Sequence, residues 1–185
     1  MKVRKFLFAG ALLVIALFSV NSVMAQTADD VTVNLKFRPI QSITVNVDSV
    51  NITYATSTDY NSGITTGEIA DHITIYSTGG FEVKVKAAGN FTNGSETIPV
   101  GDVQIVATEG SQNGSGTNTF APKASLTISG STLLSATGGG TAIKYNVEYD
   151  NTVEGGSNNY IDKYIASDGN ESVYKTTVTY SIAAN

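Results

Sequence analysis

The chain has 185 residues, no cysteine, no tryptophan, one histidine and a formal net charge of −5. Three of its 11 basic residues, Lys2, Arg4 and Lys5, fall in the first 25 positions, so the remainder carries 8 basic against 16 acidic residues. That balance repels polyphosphate and anionic lipid and so argues against nucleic-acid and membrane-surface binding; the missing thiols exclude disulfides, thiol catalysis and thiolate metal sites.

Residues 1–25 read as an export signal. A charged start leads into an apolar run from Phe6 to Val20, and Val23-Met24-Ala25 supplies a small-residue cleavage site before Gln26. The run is shorter than the roughly 20 residues a bilayer span needs. No later stretch is apolar enough to insert, and no cysteine follows the signal to carry a lipid. The protein is therefore expected to be exported, to the periplasm, the cell surface or the medium. Residues 26–185 are expected to form one domain, long enough to bury roughly 70% of its unfolded surface.

Period-2 alternation recurs along that domain and predicts an all-β fold. Val31, Val33, Leu35 and Phe37 alternate with Thr32, Asn34 and Lys36, and Pro39 ends the run. Ile43, Val45 and Val47 predict a second strand, Val50, Ile52 and Tyr54 a third, and Ile69, Ile73 and Ile75 a fourth, in which Asp71 is a misfit on the apolar face. Phe81, Val83 and Val85 face inward in the fifth, with Glu82, Lys84 and Lys86 toward water. Val103, Ile105 and Ala107 follow, then Leu126 and Ile128, then Ile143, Tyr145, Val147 and Tyr149, and last Tyr174 to Ile182. Roughly nine strands at this spacing indicate a single antiparallel β-sandwich, immunoglobulin-like or pilin-like.

Turn chemistry separates the strands. Gly79-Gly80 predicts a tight hairpin, and Asn93-Gly94 another. Glu109 to Asn118 is a Gly/Ser/Asn-rich loop expected to move, Gly138-Gly139-Gly140 is a turn before a strand, and Asp150 to Glu171 is the longest weakly patterned stretch.

Catalytic patterns are scarce. No G-x-S-x-G or H-E-x-x-H occurs, and the glycine triplet lacks the lysine and the following helix of a phosphate loop. His72, placed by parity on the polar face of its strand, reads as exposed and structural. Asp59-Tyr60-Asn61-Ser62-Gly63 and Asp150, Thr152 and Glu154 set oxygens at alternate positions, yet neither matches a full calcium loop and both read as solvated turns. No metal, cofactor or catalytic residue is assigned, and the protein is not expected to be an enzyme. Tyr160, Tyr164 and Asp162 in the long loop are the candidate partner contacts, since aromatic rings and a carboxylate suit a glycan or protein surface, but the plainer reading, and the one preferred, is a loop folded back so that its aromatics cap the sandwich.

The closing segment, Tyr174-Lys175-Thr176-Thr177-Val178-Thr179-Tyr180-Ser181-Ile182, resembles the last strand of bacterial surface β-sandwiches of the pilin, spore-coat-U and WxL kinds. In pilin-like polymers a segment near the N-terminus leaves its own domain and completes a neighbour's sheet, and Val31, Val33, Leu35 and Phe37 are the candidate donor strand here. The plainer reading, and the one preferred, is that this segment pairs within its own sandwich. The expectation is a non-catalytic secreted or cell-surface structural or adhesive protein, with itself or other surface proteins as partners; a self-assembling subunit of the fimbrial type is one form it could take. The alternatives are a carbohydrate-binding module using the 150–171 loop and, behind it, a small secreted hydrolase.

Overall fold

The computed structural model describes residues 28–165 and 171–185. The expected signal, residues 1–25, lies outside them. The chain divides at Lys36/Phe37. On the N-terminal side, residues 28–36 carry no regular secondary structure. On the C-terminal side lies an all-β sandwich; its described residues form eleven strands, nine of them in the two sheets, one short α-helix, α1 (Ser57–Ser62), and a 3-10 turn at Val100–Asp102.

One sheet has the order β1-β2-β10-β6-β8, built from Gln41–Val45, Ile69–Ser77, Gly140–Asp150, Gln104–Glu109 and Ala124–Ser125. The other has the order β11-β3-β9-β7, built from Val178–Ala184, Phe81–Ala87, Ser131–Ala136 and Asn118–Phe120. A separate hairpin pairs β4 (Phe91–Asn93) with β5 (Glu96–Ile98) through Gly94-Ser95, with Gly94 at φ 59°. Every pairing is antiparallel.

The alternation read from the sequence holds where one face of a regular strand is buried. Phe81, Val83, Val85 and Ala87 of β3 point inward while Lys84 and Lys86 are exposed. Ile143, Tyr145, Val147 and Tyr149 of β10 do the same at the middle of the larger sheet. With Ile73, Ile75, Ile105, Leu133, Leu134 and Tyr180 they form one core between the sheets. Burying each such side chain contributes about 1.5–3 kcal/mol.

Several expectations are corrected. Gly79-Gly80 does not close a hairpin: β2 and β3 lie in different sheets, so this turn carries the chain across the sandwich. Val50, Ile52 and Tyr54 form no strand, although Val50 and Ile52 still pack on the core from irregular chain. Leu126 is buried but Ile128 is 55% exposed, because the chain leaves the larger sheet at Leu126, whose N–H bonds Val103 O, and joins the smaller one at Thr127, whose carbonyl accepts from Ala87. The Glu109–Asn118 loop is tied down by Gly110 N–H to Lys144 O, Lys144 N–H to Gln112 O and Ser115 N–H to Gly139 O.

Two bulges hid residues from the pattern. Across β3–β9 the pairing steps from Val83–Leu134 to Lys84–Thr132, so Leu133 is the extra residue and both leucines are buried. Across β2–β10 it steps from Tyr145–Ile73 to Val147–Ile69, leaving β2 two residues longer over the same span. Asp71 takes up the slack at φ 52° and turns His72 inward beside Ile73. His72 is 1% exposed, contrary to its expected place on the polar face.

Candidate functional site

The candidate donor segment is open to solvent. Val31, Val33, Leu35 and Phe37 are 84, 77, 79 and 90% exposed, and residues 28–40 form no strand. The sandwich presents edge strands of unequal length: seven residues in β11, five in β1, three in β7 and two in β8. Thr177 O accepts from Ala88, and Asn185 N–H donates to Gly80 O. By the alternation of an antiparallel ladder, the odd-numbered residues of β11 bond β3, and the N–H and C=O groups of Val178, Tyr180, Ile182 and Ala184 point outward. The sequence of β11 holds no charge, glycine or proline, the usual devices that blunt an edge.

The long loop folds back on the sandwich. The Tyr160 hydroxyl donates to Asp102 Oδ2 at 2.7 Å, and Asn151 Nδ2 donates to the Tyr160 oxygen at 3.1 Å and to Asp102 O at 2.8 Å. The Tyr54 hydroxyl donates to Asn151 Oδ1, and its ring lies edge-on to Tyr160 at 5.5 Å. Burial above all, together with the Asp102 carboxylate, pushes the Tyr160 phenol far above its ordinary value, so it stays a donor at any physiological pH. Gly63, at the C-cap of α1, sits against this loop: a Cβ there would lie 2.5 Å from Thr152 Cα, and its φ is 69°.

The three candidate partner contacts are therefore divided. Tyr160 is buried in the network that pins the loop. Tyr164, 50% exposed, and Asp162, exposed, line an open groove of 680 Å³ with Asn93, Ser95, Glu96 and Ile165. Lys163 Nζ donates to Thr97 O at 3.4 Å, and the Tyr174 hydroxyl donates to Lys163 O at 3.0 Å. Paired bonds between Thr92 and Lys175 fix the hairpin from its other side. Residues 166–170 of the loop lie outside the described residues.

Asp59 and Asp150, from the two oxygen-rich stretches, are held within the fold, and so is Asp71. Asp59 Oδ2 accepts from Ala55 N and Thr56 N in a capping box that starts α1. Asp150 accepts from Lys123 Nζ at 2.7 Å and from the Thr152 hydroxyl and N–H, while Glu148 also holds Lys123 at 2.6 Å. Asp71 Oδ1 and Oδ2 accept from the Ser111 N–H and hydroxyl and Oδ2 from Lys144 Nζ, which draws its carboxyl down to about 2.

Sequence reasoning missed the polar pair that crosses the core. Tyr149 of the larger sheet and Tyr180 of the smaller meet hydroxyl to hydroxyl at 2.5 Å. The His72 ring lies edge-on to both, at 6.0 and 5.7 Å, and neither ring nitrogen has a hydrogen-bond partner among the described residues. Burial holds the imidazole below its ordinary value of 6.5 and therefore neutral.

No family model matches this sequence, and no curated protein is detectably similar to it. No helix among the described residues is long and apolar enough to cross a membrane.

Proposed function

We propose that this chain is an exported, non-catalytic surface protein, structural or adhesive, whose sandwich assembles with further copies by strand addition. One observation carries the reading: Val31, Val33, Leu35 and Phe37 expose four apolar side chains at strand spacing in a segment that forms no strand. On a partner's sheet edge such a segment gains burial and a full ladder, and each buried side chain contributes about 1.5–3 kcal/mol. The uncharged β11 edge offers outward hydrogen-bonding groups over the same seven-residue length. His72, the only histidine, is sealed in the core, which speaks against a role in substrate chemistry.

Deleting Gln26–Phe37 tests it. The full exported chain is expected to form oligomers resolved by sedimentation and electron microscopy, and the deletion variant to remain a folded monomer. A wild-type protein that is monomeric at all concentrations, with size and stability indifferent to the deletion, would sink the reading.

A further inference from the structure

We infer that the groove between the β4–β5 hairpin and residues 162–165 is a binding site for a neutral oligosaccharide, independent of strand-mediated assembly. The groove holds 680 Å³, within the roughly 300–1,000 Å³ usual for small-ligand clefts. Its chemistry fits a sugar. The half-exposed Tyr164 ring and Ile165 offer an apolar surface for a pyranose C–H face. Asp162 and Glu96 offer carboxylate acceptors for hydroxyl pairs, and Asn93 and Ser95 add groups that both donate and accept.

Hydrogen bonds link the two walls. Lys163 to Thr97 ties loop to hairpin, Tyr174 to Lys163 braces the loop, and the Thr92–Lys175 bonds hold the hairpin. Preorganisation of this kind removes the ordering cost from binding. Charge sets the class of sugar. Two carboxylates line the groove, and the neighbouring Lys163 ammonium is directed to a main-chain carbonyl. Uronic and sialic acids are repelled, and uncharged hexose or pentose chains are admitted.

The test uses the full exported chain and a panel of neutral oligosaccharides of glucose, xylose, mannose and galactose, with oligogalacturonate as the acidic counterpart. Calorimetry is expected to find binding to at least one neutral member and none to the acidic one. Tyr164→Ala should weaken that binding at least about tenfold, and Glu96→Gln measurably, with circular dichroism unchanged. Tyr76→Ala, an exposed tyrosine on β2 that does not line the groove, should leave binding as it was. A blank neutral panel, preference for the acidic oligosaccharide, or binding indifferent to Tyr164→Ala would each overturn the assignment. None of these results bears on whether the N-terminal segment drives assembly.

Discussion

The Tyr149–Tyr180 pair gives the sharpest energetic test of the sandwich. The two hydroxyls, 2.5 Å apart, come from opposite sheets and link them through the core, as the Tyr145 hydroxyl and Asn118 Oδ1 do at 2.9 Å. Tyr180→Phe keeps the ring and removes one hydroxyl, leaving Tyr149 with a buried, unpartnered O–H. That costs about 1–3 kcal/mol, mostly desolvation of the group left behind. Tyr149→Phe should cost a similar amount. The double variant removes both hydroxyls and leaves no unpartnered O–H, so its expected loss is under about 1 kcal/mol. The coupling energy in the cycle is then at least about 1 kcal/mol, well outside the ~0.5 kcal/mol expected of independent sites. Urea unfolding by far-ultraviolet circular dichroism suits this chain, which has no tryptophan to report. Additive single losses would show that each hydroxyl has another partner and refute the reasoning.

Two further outcomes follow from the same core and from the docked loop. His72 is held neutral by burial, so its folded pKa lies below the 6.5 of the unfolded chain. Below pH 6.5 the unfolded state takes up a proton the folded state resists, and stability falls toward acid by up to about 1.4 kcal/mol per pH unit from this group. His72→Phe keeps an aromatic ring against Tyr149 and Tyr180, and its urea midpoint should decline less between pH 6.5 and 5; equal declines would count against the assignment. Gly63→Ala sets a Cβ 2.5 Å from Thr152 Cα at a φ of 69°. A loss of at least about 2 kcal/mol and faster amide exchange through residues 151–160 are expected; a neutral effect would show that the loop is not docked there.

What could be read along the chain was whatever local alternation dictates. Where β3, β10 and β11 run regularly with one face in the core, a period of two names the buried residues directly. Asn93-Gly94 marked its hairpin for a similarly local reason, since the turn needs a residue free to adopt positive φ. The all-β class follows from these features.

Tertiary structure decided everything that depends on a second segment. A bulge is defined by the partner strand, so the burial of Leu133 beside Leu134 and of His72 beside Ile73 has no signature in their own segments. The sheet each strand joins is equally non-local, which is why Gly79-Gly80 looked like a hairpin and proved to be a crossing. Tyr160 and Tyr164 have the same composition around them, yet Asp102 and Asn151 draw one inward and leave the other at a groove. That groove joins Asn93 and Glu96 to Asp162, and only the folded chain brings those distant residues together. The clearest contrast is Val31–Phe37: its alternation is as regular as that of β3, but β3 has neighbours on both sides and a core beneath it. Alternation states only that a segment can be a strand, and a partner to supply the ladder and the buried face makes it one.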